Sequence, residues 1–198
     1  MDQPLKWLAD LVDTPWRALA DAARAGLAVP NGFVVFPRTP EQDVRNAYDE
    51  LKTVEKTHFI VVRGPSHSVL NIFAPDQLVY ALRRLRAESP AAPLLVQRMV
   101  HSMWCGTAEW LGQQLRILAN EGLRILDPDT YLFNTPAGEC ISMSIVPKQR
   151  KLFRYVDGTT RTATNEGERT PISAGQLKSI LELAGRVGAN CEWGIDDG

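Results

Sequence analysis

Three side chains interrupt otherwise apolar runs in ways that suggest chemistry. Arg63 closes the run His58-Phe59-Ile60-Val61-Val62-Arg63 and is followed at once by Gly64-Pro65-Ser66. An arginine at a strand end beside a glycine turn suits an anion. Its planar fork grips phosphate, and the backbone amides of a tight turn add donors. Without that role Arg63 is a surface residue capping a strand. Gln97 sits inside the apolar run Leu94 to Val100, where by itself it reads as the outward residue of a half-buried strand. Glu192 stands between Cys191 and Trp193 in a third such run. Carboxylate oxygens suit a hard cation such as magnesium, whereas an isolated strand glutamate is otherwise a solvated side chain.

Other candidates carry less. Lys148, Arg150 and Lys151 cluster near Pro147, as a solvated hairpin or as a second phosphate contact. Trp104 and Trp110 are placed to stack a base or to pack a core. Cys105, Cys140 and Cys191 are far apart and odd in number, so they form neither a disulfide framework nor a zinc spacing. His58, His67 and His101 show no ligand spacing.

The elements that must position these residues follow from periodicity and turn chemistry. Asp13-Thr14-Pro15 predicts a helix start, Trp16, Leu19, Ala20 and Ala23 continue it, and Gly26 caps it. Val29-Pro30-Asn31-Gly32 predicts a turn before a short buried strand, Phe33 to Phe36. Helices are expected over about Pro40–Leu51 and Asp76–Ala87, the second with Leu78, Leu82 and Leu85 inward and Arg83, Arg84 and Arg86 on a basic face. From Leu94 to about Phe153 short strands dominate, with turns at Asp127-Pro128-Asp129, Thr135-Pro136-Ala137-Gly138 and Val146-Pro147. Gly158 to Arg169 reads as a loop or ragged hairpin. Ser173 to Val187 is an amphipathic helix with Leu177, Ile180, Leu181 and Ala184 on one face, and Cys191 to Ile195 is a final strand. This order predicts a mixed α+β fold, an antiparallel sheet beside an α/β part, with a cleft between lobes as the natural ligand position.

The 198 residues suit one large domain or two small lobes. A net charge of −1 gives no electrostatic argument for nucleic acid or an anionic membrane. No apolar run approaches the roughly 20 residues that span a bilayer. The segment Met1 to Lys6 lacks the basic-then-apolar layout of a signal peptide, which makes the cytoplasm the expected location.

Five segments, in order, carry a family resemblance. Ala25-Gly26-Leu27-Ala28-Val29-Pro30-Asn31-Gly32-Phe33-Val34-Val35 is similar to A-G-L-P-V-P-P-G-F-V, and Val61-Val62-Arg63 to the start of A-V-R-S-S-A. Leu95-Val96-Gln97-Arg98-Met99-Val100 resembles V-V-Q-R-M-V, and Asp127-Pro128-Asp129-Thr130-Tyr131 resembles T-P-D-T-Y. The helix from Ser173, ending in Cys191-Glu192-Trp193-Gly194-Ile195-Asp196, resembles the family's last helix and its D-I-E-W-A-I-D strand. These belong to the pyruvate- and nucleotide-binding domain of phosphoenolpyruvate synthase, pyruvate phosphate dikinase and rifampicin phosphotransferase, within the ATP-grasp superfamily. The resemblance implies one ATP-grasp-like domain over residues 1–198, with two lobes meeting near 90–100. It implies ATP and Mg2+ as ligands, with Arg63 on the phosphates, Gln97 near the nucleotide and Glu192 on magnesium. It also implies a separate phosphocarrier or catalytic domain or protein as partner.

Departures from the family pattern bear on activity. The family's G-G-K-G-x-N-L lysine reaches the phosphates; here Pro15 of Asp13-Thr14-Pro15-Trp16-Arg17-Ala18-Leu19 falls on that position, and Arg17 substitutes only with a shifted register. The glycine-rich lid that follows V-R-S-S-A is missing, because Arg63 leads almost directly to Val69-Leu70-Asn71-Ile72. The family continues to a Q-S-R-P strand, whereas this sequence stops at Gly198, and no swivelling or pyruvate-binding domain fits into its length. Ser66-His67-Ser68 resembles the swivelling motif only faintly, and its place directly after Arg63 argues against a phosphocarrier. The expectation is a nucleotide-binding domain incomplete as an enzyme, or a degenerate domain acting as a regulatory or interaction module.

Overall fold

A computed structural model describes residues 5–11, 15–55, 59–100, 102–122, 127–135, 138–147, 150–154, 160–164 and 171–196. The chain is α+β, and its internal contacts divide it into two units, Met1–Met99 and Val100–Gly198.

In the first unit, β1 (Lys6–Trp7) and a 3-10 turn (Leu8–Asp10) precede α1 (Arg17–Arg24), β2 (Gly32–Val35) and α2 (Glu41–Glu55). Then come β3 (Ile60–Arg63), β4 (Ser68–Ile72), α3 (Pro75–Glu88) and β5 (Leu94–Arg98). The sheet order is β1-β2-β5-β3-β4, every neighbouring pair antiparallel. The part expected from alternating strands and helices is thus an antiparallel sheet with helices, within the expected α+β class. The chain still crosses over through α2 and α3. Because β2 and β3 both run against β5, they are parallel but separated by it; β4 and β5 are likewise separated by β3.

Helices cover this sheet on both faces. Val44, Tyr48 and Leu51 of α2 and Leu78, Leu82 and Leu85 of α3 pack on Phe33, Val35, Ile60, Val62, Leu94 and Val96. On the other face Leu8, Leu11 and Ala20 meet Val34 and Leu95, with Trp16 and Leu19 partly buried against them. Two buried faces explain why these strands read as continuous apolar runs.

Local chemistry sets the helix ends. Asp13 and Thr14 lie outside the described residues. Pro15 is in the turn ahead of α1, which begins at Arg17, two residues later than Pro15 suggests. At its C-terminus the Gly26 amide donates to Ala23 and the Leu27 amide to Ala22, a Schellman arrangement with Gly26 at φ +72. Arg24 ties this helix to the 3-10 turn by donating to the carbonyls of Ala9 and Leu11, 2.9 Å each. The basic face expected on α3 is mostly committed. Arg83 pairs with Glu41 at 2.8 Å, and the half-buried Arg86 donates to the Phe36 carbonyl, its burial drawing the guanidinium below its usual range.

The second unit holds β6 (Ser102–Leu111), β7 (Gln114–Glu121), β8 (Asp129–Asn134), β9 (Glu139–Ser144), α4 (Ala174–Val187) and β12 (Cys191–Asp196). The sheet is antiparallel in the order β12-β6-β7-β8-β9. A separate hairpin pairs β10 (Arg150–Arg154), at the end of the expected run of short strands, with β11 (Thr160–Thr164), which lies in the stretch Gly158 to Arg169 expected as loop or ragged hairpin. Ser173 caps α4 through a capping box with Gln176, and Gly188 ends it at φ +65. Ile180 and Ala184 of α4 pack on Trp104, Ala108, Ile117, Tyr131 and Trp193. Gly106 lies opposite Trp193, and a Cβ there would overlap the Leu118 carbonyl and stand 2.5 Å from the Trp193 ring. Only a bare backbone lets β12, β6 and β7 close at this point.

Candidate functional site

In the first unit the candidates gather on one face of the sheet. Residues directly opposite in a ladder point to the same side, and side chains two apart on a strand share a face. Arg63 is opposite Leu95, and Gln97, two residues on, is opposite Val61 and Gly32. Arg63 and Gln97 therefore share the face that carries Val34 and Leu95, the face on which α1 packs. They occupy diagonal positions on adjacent strands, a spacing of about 7–8 Å.

Their environments differ. Arg63 is half-buried at the end of β3, with Ser68 of β4 opposite. Gln97 is 3% exposed, and its Nε2 donates to the Pro30 carbonyl at 2.6 Å. It is thus not the outward residue of a half-buried strand; its amide ties β5 to the loop that enters β2. Gly32 opposite is constrained by the same approach, since a Cβ there would overlap the Val96 carbonyl and come within 3.2 Å of the Gln97 Cβ. Arg17 opens α1, exposed, with Nε 3.5 Å from Asp21. Asp21 is in turn held below the usual carboxylate range, first by its hydrogen bond from Arg24 and further by Arg17. The β3–β4 connection is short: only Gly64 to His67 separate the strands, and the Gly64 amide donates to the His67 carbonyl at 3.0 Å.

In the second unit strand alternation turns Cys191, Trp193 and Ile195 toward α4 and leaves Glu192 on the opposite face, exposed. Thr107 lies directly across from it on β6. Thr107, Glu109, Asn190 and Glu192 line a shallow depression there. Glu109 accepts from Arg116 Nε at 3.0 Å and from the Thr107 hydroxyl at 3.2 Å, and the Arg116 bond chiefly holds its carboxyl below the usual range. Cys105, on the same face, is pushed up to about 11 by burial, with Glu192 adding to the shift. Among the described residues no group of three or more His, Cys, Asp or Glu is placed to hold a metal ion.

No family model matches the chain, and no curated protein matches it.

Two further residues belong to the second face and escape the sequence reading. Glu109 and Arg116 are seven apart, which means nothing until Leu111 and Gln114 pair around a two-residue turn and bring them opposite. Gly112 between two alternating runs is the signal that finds this register. Asp129, from the segment resembling T-P-D-T-Y, is fully buried and accepts the Val146 amide at 3.0 Å, a structural task. Trp104 and Trp193 are core residues under α4, so packing accounts for Trp104. His58, His101 and Lys148 lie outside the described residues; Arg150 and Lys151 begin β10.

Proposed function

We propose that this chain is a nucleotide-binding module of the phosphoenolpyruvate synthase and pyruvate phosphate dikinase kind. In this reading it is an ATP-grasp-like domain of two lobes that takes ATP phosphates at Arg63 and does not complete phosphoryl transfer unaided. The shared sheet face of Arg63 and Gln97, on neighbouring strands beside a tight turn, carries the reading. The five-segment resemblance supports it independently. Arg63 supplies a fixed positive charge and a bidentate donor, the requirement for holding a phosphate in place. Gln97 acts by bracing the loop that leads to Gly32. Glu192, in the second unit, is a single carboxylate and by itself an incomplete magnesium site, an ion that prefers several oxygen ligands.

The four-residue β3–β4 connection is too short to lid the phosphates. Water at the site weakens the electrostatic contacts that accelerate transfer, so turnover by the 198-residue chain is expected to be very slow. Titration with Mg-ATP by calorimetry tests the proposal. Arg63→Ala is expected to weaken binding by about 1.5–3 kcal/mol, the scale of a hydrogen bond to a charged group. Equal affinity in the two proteins would falsify the assignment.

A second reading is a degenerate domain serving as a regulatory or interaction module. The commitment of the Gln97 amide to Pro30, and of Arg17 to Asp21, favours it, because neither side chain waits for a ligand. Absence of any heat with Mg-ATP selects this second reading.

A further inference from the structure

The turn that follows Arg63 is fastened to α3, and one side chain does the fastening. Gly64 packs closely enough that a Cβ would lie 3.4 Å from Leu85 and 3.6 Å from Leu94. Three residues on, His67 Nδ1 stands 3.2 Å from Glu88 Oε2, and Glu88 is the last residue of α3. The Nε2 atom of His67 is shielded and meets no hydrogen-bond partner among the described residues. The imidazole is therefore held through Nδ1. Arg63 and Ser68 face each other immediately behind this turn. The Gly64 hydrogen bond to the His67 carbonyl and the Arg63–Ser68 ladder pair join the turn to the end of β3.

We propose that His67 is a positioning residue: paired with Glu88, it latches the β3–β4 turn onto α3 and so fixes the end of β3 that carries Arg63. The effect on ligand affinity rests on the reading of Arg63 as a phosphate contact; the latch itself does not. Hydrogen exchange followed by NMR on the full chain without nucleotide reads the Gly64 amide and the Arg63 Nε–H. His67→Ala is expected to speed both by about two- to fivefold, the range of one exposed ion pair. His67→Gln keeps a donor for Glu88 and is expected to restore most of the protection, which a loss of mere bulk packing would not predict. In Mg-ATP titrations His67→Ala should weaken binding by a similar factor in the parent chain and not at all beside Arg63→Ala. Unchanged exchange in His67→Ala overturns the latch. Faster exchange at Gly64 with Arg63 unaffected overturns its reach to Arg63. If the parent chain takes up no Mg-ATP, the functional reading fails alone, and the exchange data still decide the latch.

Discussion

The two sheets have the same strand number and the same antiparallel pairing, yet they admit polar residues differently. The sheet of β1 to β5 is packed on both faces, so Phe33, Val34, Val35, Leu94, Leu95 and Val96 are all fully buried. In its central strands β2, β5 and β3 the polar side chains, Arg63, Gln97 and Arg98, stand at strand ends or next to them. The sheet of β6 to β9 and β12 packs α4 on one face only, and there Thr107, Glu109, Arg116 and Glu192 occupy strand interiors. A doubly packed sheet can offer a ligand its rim; the second sheet also leaves part of one face open, around Thr107, Glu109 and Glu192, while Asn120 on that face is buried. That difference follows from the cost of burying an unpaired polar group, about 1–3 kcal/mol in proteins.

The sharpest way to break this comparison is to remove core from one sheet and a face residue from the other. Phe33 is fully buried and meets Trp7 edge-on at 5.6 Å between ring centroids. Phe33→Ala is expected to lose about 3–5 kcal/mol, whereas Thr107→Ala should stay within about 0.5 kcal/mol. Urea unfolding of both proteins checks the contrast, and comparable losses would erase it.

A smaller effect is expected at the closest strand approach. Gly106→Ala forces a Cβ against Leu118 and Trp193, and a loss of about 1–3 kcal/mol follows from overpacking. Thermal unfolding with Trp193 fluorescence should show the second unit giving way first; an unchanged midpoint would mean the strands separate freely there.

The smallest effects are in pH dependence, and they lie at opposite ends of the scale. Tyr48, in the core of the first unit, is pushed up to about 12, mainly by burial, with Asp49 adding. A raised folded value means its contribution is intact below the ordinary tyrosine value of 10.0 and is lost as pH rises toward about 12. Tyr48→Phe should flatten stability between those limits, measured by denaturation at several alkaline pH values. Glu109, on the open face, is instead lowered below 4.5, first by its bond from Arg116. Its contribution is present above the ordinary carboxylate range and is lost as pH falls through the lowered value. A carboxyl NMR titration should find Glu109 shifted back upward in Arg116→Ala, and no movement would show the pair to be incidental.

Legibility in the sequence follows the same division. Ser173 to Val187 locates α4 within one residue, because a capping box and a left-handed glycine bound a clear apolar stripe. Strands β2, β3 and β5 are legible as apolar runs because both faces are buried. What periodicity does not carry is pairing order: the insertion of β5 between β2 and β3 is a long-range choice, and it makes every neighbouring pair of that sheet antiparallel. Among candidate residues, Arg63 stands at its expected strand end. The burial of Gln97 is invisible locally, because it depends on Pro30, far away in sequence. Arg17 opens α1 instead of continuing a helix begun at Pro15, since a tertiary contact through Arg24 sets that segment.

The glycines give the molecule an uneven tolerance of sequence drift. At Gly32 and Gly106 any side chain meets a neighbouring strand, so no single codon change leaves the packing intact. Gly175 and Gly185, within α4, would present a Cβ to nothing within 4 Å. Alanine there gains about 1 kcal/mol of helix propensity. In a mutagenised library sorted only for folded chains, the first pair should stay fixed while the second is replaced. Sequencing such a library would therefore map the closest strand contacts of both units without any ligand or activity being known.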